Sequence, residues 1–211
     1  DVVYARGTRN KLSFMAQYFD CIEINSTFYR PCTPRSAEKW VRDVEANPDF
    51  VFTAKLWRRF THETDEPFTA ADARVYREGI KPLQEAGRLT ALLLQFPFFF
   101  RDDRSARDRL ARIDEAFSDY VRVLEVRDAS WLEPDALDFV RNQDLNIACL
   151  DMPRYRRAFA PEVLVTGPVG YLRLHGRNSD AWFDREAGRD EKYDYLYGEQ
   201  ELTGVVDRLE K

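Results

Sequence analysis

Glu23, Lys55, Glu125 and His175 are the side chains of this chain whose types and positions could move protons and hold charge, because each lies near the end of a short apolar run. A carboxylate can serve as general acid or base, and an imidazole can transfer protons near neutral pH. A lysine working with an arginine can hold an anionic group and stabilise developing negative charge. In that scheme Glu23 or Glu125 is the acid or base, His175 is a second proton carrier, and Lys55 acts with Arg173. Asn25, Tyr29, Gln95, Arg127, Trp131, Asp151, Arg173 and Arg177 lie on the same runs or just beyond them and are the candidate substrate-binding groups.

The same charges admit a plainer explanation. Glu23, Glu125 and Asp151 balance Lys55, Arg127 and Arg173, and inward-facing ion pairs in a barrel often only neutralise one another. His175 could likewise do no more than order the loop at Gly176. Nearby carboxylates would keep a proton on Lys55, which argues against a Schiff-base role. No cofactor can be named from the residues. A single magnesium or manganese ion on Glu23, Glu125 and Asp151 fits the preference of those metals for oxygen ligands. With His62 and His175 the only histidines, a zinc cluster is not expected. A P-loop, a nucleophile elbow and a dinucleotide fingerprint are all lacking.

Elements that could position these groups are legible in the hydrophobic pattern. The runs are CIEINST (21–27), VFTAKLW (51–57), ALLLQF (91–96), VRVLEVR (121–127), IACLD (147–151) and YLRLH (171–175). At the period of two that a strand imposes, one face reads Ile22, Ile24, Phe52, Ala54, Leu56, Leu92, Leu94, Leu124, Val126, Ala148, Leu150, Leu172 and Leu174. The opposite face carries Glu23, Asn25, Thr53, Lys55, Gln95, Glu125, Arg127, Asp151, Arg173 and His175. Between the runs lie helical segments: Asn10 to Phe19; Pro34 to Ala46, with Thr33 as N-cap; Ala70 to Ala86, closed by Gly87; Arg104 to Phe117; and Pro134 to Asn142. Glu199 to Lys211 reads as a final helix.

Regular alternation of strand and helix implies a parallel sheet. An open doubly wound sheet should be apolar on both strand faces, whereas here one face is polar, which suits a barrel lumen opening at the carboxyl ends of the strands. The expected fold is therefore α/β, a TIM-like (β/α)8 barrel, in one domain spanning 1–211. Six runs fall short of eight strands, so the first strand is expected before Asp1 and the last after Lys211.

The chain has 211 residues, 44% of them hydrophobic, enough for one core. Its net charge of -5 argues against coating nucleic acid with the whole surface, leaving a local basic patch as the route to such a partner. Arg30, Arg58, Arg59, Arg101, Arg104, Arg154, Arg156, Arg157 and Arg177 all follow strand ends. Aromatics such as Phe28, Trp57, Phe60, Tyr155, Trp182 and Phe183 are interleaved with them. Guanidinium groups beside rings suit a ligand with anionic and planar or sugar-like parts. The Phe98 to Phe100 run is expected to pack as a lid. Cys21, Cys32 and Cys149 have no ligand-like spacing and read as reduced thiols of a cytoplasmic protein. Nothing is long and apolar enough to span a membrane.

EINSTFYR at 23–30, QFP at 95–97, EVR followed by Ser130 and Trp131, DMP at 151–153 and RLHGR at 173–177 together resemble the family called domain of unknown function 72. The resemblance implies a TIM-like barrel with its site at these motifs, and it brings no reaction. Two positions depart from the family's pattern: Phe98 and Phe99 follow QFP in place of proline and a small residue, and Asp128 stands where a histidine is usual. The reading that results is an enzyme, of hydrolase or lyase type, acting on an anionic substrate such as a phosphorylated sugar or nucleic-acid fragment by acid-base or metal-assisted chemistry. The alternative is a binding module for single-stranded nucleic acid or phosphate that performs no chemistry.

Overall fold

A computed structural model describes residues 4, 7–153, 163–184 and 186–210. The strands are β1 (Cys21–Ile24), β2 (Val51–Lys55), β3 (Leu89–Gln95), β4 (Arg122–Glu125), β5 (Leu145–Asp151) and β6 (Tyr171–Leu174). The helices are α1 (Lys11–Met15), α2 (Ser26–Tyr29), α3 (Pro34–Asp43), α4 (Arg58–Thr61), α5 (Ala70–Glu85), α6 (Arg104–Phe117), α7 (Pro134–Asn142), α8 (Ser179–Phe183), α9 (Arg189–Lys192) and α10 (Glu199–Leu209). A 3-10 turn covers Ala129–Leu132. The strands follow one another in the order β1-β2-β3-β4-β5-β6. Pairing is parallel from β1 to β2, β2 to β3 and β5 to β6. Among the described residues the strands number six, not the eight of a complete barrel. No described helix is long and apolar enough to cross a membrane.

Contacts divide the chain into two compact units, Asp1–Gln95 with Arg112–Arg122, and Phe96–Ala111 with Val123–Lys211. In the first, local signals set the helix limits. Thr33 accepts a hydrogen bond from the Ser36 amide, and Pro34 occupies the first turn of α3, where its missing N–H costs nothing. Thr69 and Asp72 form a reciprocal capping box at the start of α5. The same helix ends because Gly87 adopts φ +65, letting the Gly87 amide reach Gln84 O and the Arg88 amide reach Leu83 O. The apolar faces of these helices and of β1 and β2 enclose Ile24, Ala37, Val44, Phe50, Phe52 and Leu83. A second group of rings, Phe60, Phe68, Tyr76 and Phe117, packs edge to face.

In the second unit β4 and β5 are buried along their whole lengths. Trp131 lies parallel to Phe100, which stacks on Phe96, and its indole N–H donates to Phe100 O at 3.0 Å. After α7 the chain turns at Asp144, a non-glycine residue with φ 50.

The expected apolar face is buried from Phe52 through Leu150, but Leu174 on β6 is 41% exposed. Much of the expected polar face is buried as well: Thr53, Glu125, Asp151 and His175 are all below 9% exposed. Charged groups at such depth must find partners, and those partners define the site.

Candidate functional site

Glu125 is the last residue of β4 and is fully buried. Arg127 donates to its Oε1 through Nε at 3.2 Å and Nη2 at 2.9 Å. Arg173, from β6, donates to Oε2. His175 Nε2 stands 3.6 Å from Oε1, an ion-pair distance beyond hydrogen-bond reach, and among the described residues this buried nitrogen makes no hydrogen bond. Glu125 ends β4 with Arg127 two residues beyond it, and Arg173 lies on β6 with His175 immediately after its last residue. Burial alone would raise the Glu125 pKa, but the contacts with His175, Arg127 and Arg173 outweigh it and hold the carboxyl well below its usual range. The group is therefore ionised at neutral pH, a weak proton acceptor and a strong anchor for two guanidiniums.

Gly176 then redirects the chain. Its φ of +83 lies in the left-handed region, and a Cβ there would come within 2.7 Å of Tyr195 Cβ. The turn carries Arg177 to Asp151, at the end of β5, where Arg177 Nε donates to Oδ1 at 2.7 Å and Nη2 to Oδ2. Tyr197 donates to the same Oδ1 at 3.1 Å and accepts from the Gly176 amide at 2.9 Å. Arg177 also reaches Glu201 of α10 at 2.8 Å, and Tyr195 donates to that carboxylate. The Arg177 hydrogen bonds lower the Asp151 pKa against its desolvation, while burial and the neighbouring carboxylate push Tyr197 up to about 12. This network fastens α10 to the ends of β5 and β6.

In the first unit Lys55 ends β2 with Nζ 4.2 Å from the centroid of the Phe28 ring, a cation-π contact. Its carbonyl is 2.7 Å from Thr27 Oγ1 and accepts from Tyr76 OH at 2.9 Å. Thr27 Oγ1 also lies 2.8 Å from Ile24 O, so the threonine of the EINSTFYR segment ties the end of β1 to that of β2. Glu23, on β1, pairs in register with Thr53. Asn25 is exposed at the start of α2 and caps no amide. Tyr29 is 62% exposed beside Phe28, and Gln95 ends β3 half-buried.

The structure thus brings Glu125, Arg127, Arg173 and His175 together, and separately Asp151 with Arg177. Trp131, a candidate binding residue, is fully buried with its face on Phe100 and offers no surface to a ligand. Phe98 and Phe99, expected to pack, are each 64% exposed, whereas Phe100 stacks on Phe96. Among the described residues no three His, Cys, Asp or Glu side chains gather where they could share a metal ion. Guanidiniums occupy carboxylate oxygens of Glu125 and of Asp151, two of the three residues expected as magnesium or manganese ligands. Of the loop arginines, Arg59 is engaged with Glu66 O, Pro67 O and Asp72. Arg154, Tyr155, Arg156 and Arg157 lie outside the described residues, as does the side chain of Phe183. Tyr195, Tyr197 and Glu201 had not been singled out; their spacing carries no strand or metal signature, and only folding brings them to Arg177.

Six parallel strands in sequence order define an α/β protein of the TIM-like kind. The chain matches the family described as "Protein of unknown function DUF72" over residues 1–211, and it belongs to that family. It is 27% identical to the UPF0759 protein YunF of Bacillus subtilis (strain 168), covering 96% of this chain and 76% of that protein. Among solved structures it resembles a DUF72 family protein from Thermotoga maritima MSB8, with 32% identity and a TM-score of 0.80 over 94% of this chain and 76% of that one. A DUF72 family protein from Enterococcus faecalis V583, 22% identical, has a TM-score of 0.82 over 94% of this chain and 79% of that one, a likeness of fold.

Proposed function

We propose that this protein is an enzyme acting on a small anionic substrate at the carboxyl ends of β4 and β6, by acid-base chemistry. Arg127 and Arg173 hold the anionic group, His175 transfers the proton, and Glu125 orients the two arginines. One observation carries the reading: a buried imidazole nitrogen that makes no hydrogen bond among the described residues stands 3.6 Å from a carboxylate on which two arginines converge. A guanidinium is a planar, permanently charged donor that suits the anionic oxygens of a ligand. Both arginine side chains keep a little solvent contact, 18% and 17%, which leaves a path for one. Glu23 and Lys55 belong to the first unit and are secondary candidates within it.

The test is a panel of phosphate monoesters and carboxylates incubated with the pure protein and followed by NMR for product. Turnover of one member is expected, with His175→Ala and Arg173→Lys each lowering kcat/KM by about 100-fold or more while the far-UV spectrum is unchanged. Full turnover in both variants would remove catalysis from this cluster. Steeply salt-dependent binding of single-stranded nucleic acid with no product would replace the enzyme by a binding module.

A further inference from the structure

We propose that Trp182 and Tyr193 form a ring subsite beside His175, and that the ligand is a sugar phosphate whose uncharged ring lies against them. This assignment rests on the anion reading above and extends it to the neutral part of the ligand. Trp182 belongs to α8, and Tyr193 follows α9 directly. Asn178 holds these short helices together: its Oδ1 accepts from the Ala181 amide at 3.3 Å, and its Nδ2 donates to Glu191 O at 3.0 Å and Asp194 O at 3.3 Å. The two rings are thereby fixed 5.5 Å apart at an interplanar angle of 79°. Their centroids lie 6.2 and 5.9 Å from that of His175.

Packing alone would bury such rings, since each has well over 100 Å² of largely apolar surface to remove from water. Tyr193 nevertheless stays 45% exposed, and Trp182 is only half-buried. The pair is held in place and kept open beside the His175 ring. Its shape bears on what it can take. A planar base stacks best on a ring face or between parallel rings. Two walls near a right angle suit a puckered ring, which can turn C–H groups to both while its hydroxyls reach the indole N–H, the phenol and water. The phosphate of such a molecule would then reach toward Arg127 and Arg173, which pair with the Glu125 carboxylate 3.6 Å from the imidazole.

Calorimetric titration with inorganic phosphate, ribose 5-phosphate, glucose 6-phosphate and adenosine 5′-monophosphate tests this in the wild type and in Trp182→Leu, Tyr193→Leu and Arg173→Lys. The expected result is that at least one sugar phosphate binds 10-fold or more tighter than inorganic phosphate and tighter than the nucleotide. Each leucine variant should erase that advantage and leave phosphate affinity as it was. Tyr193→Leu alters a half-exposed side chain, so it reports even if Trp182→Leu folds poorly. If phosphate binds in an Arg173-dependent way but the sugar phosphates bind no tighter, or the leucine variants keep the advantage, the ring subsite is wrong and the anion reading stands. A nucleotide that outbinds both sugar phosphates overturns the sugar assignment. If no probe binds, or Arg173→Lys changes nothing, the anion reading falls, and the ring subsite with it.

Discussion

Replacing Glu125 by glutamine keeps the shape of the side chain and removes the charge on which Arg127 and Arg173 converge. Removing one member of a buried ion pair costs about 3–5 kcal/mol, because the partner is left charged and uncompensated. Here the two guanidiniums are 18% and 17% exposed and can recover some hydration, which brings the expected loss to about 2–4 kcal/mol. The glutamine amide adds to the cost by presenting an N–H group toward donors. For a chain of this size that corresponds to a fall in Tm of roughly 5 to 15 °C. Urea unfolding of the wild type, Glu125→Gln, Arg173→Met and the double variant measures both the loss and its origin. The double variant should be less destabilised than the sum of the singles by about 1–3 kcal/mol, since the second change removes the stranded charge. A loss below about 0.5 kcal/mol in Glu125→Gln, the range of ordinary surface changes, would refute the view that this carboxylate anchors the cluster.

Three further outcomes are expected. Gly79→Ala in α5 should destabilise despite alanine's helix preference of about 1 kcal/mol. The new Cβ would lie 2.2 Å from the carbonyl oxygen of Cys32, so backbone must move, and the midpoint in urea should fall by an amount equivalent to about 1–3 kcal/mol; a rise would contradict the close approach. Asp144→Gly should stabilise by about 0.5–1 kcal/mol, because Asp144 holds φ 50 where glycine meets no Cβ penalty; thermal melts in which Tm does not rise would show that the aspartate side chain offsets its strain. Finally, the Glu125 and Asp151 pKa values are depressed in the folded state, so their stabilisation is fully present above the unfolded-state values and is lost as pH falls. Unfolding free energy measured across pH should begin to drop below the ordinary carboxylate values of 4.5 and 3.8 and continue toward the folded-state values; in Glu125→Gln the drop should be shallower.

The elements of this protein were largely legible in its sequence, because what decides them is local. Period-two alternation marked the strands, proline after Thr33 and glycine after Ala86 marked helix ends, and α6 and α7 run over the expected residues. The short helices α2 and α4 escaped notice, since four residues leave no periodicity to read. The candidate residues were also legible as a set, because charges inside apolar runs are costly and therefore conspicuous. Their partnerships were not. Glu125 and Arg173 are 48 positions apart, and nothing in either run says that they will meet. Only parallel packing with a definite register placed one arginine pair on Glu125 and sent Arg177, after the turn at Gly176, to Asp151. It also buried Trp131 against Phe100 while leaving Tyr193 open beside His175. Residue type and alternation determine which groups can hold charge; pairing, burial and the direction of a ring depend on distances between segments remote in the chain, which tertiary structure alone decides.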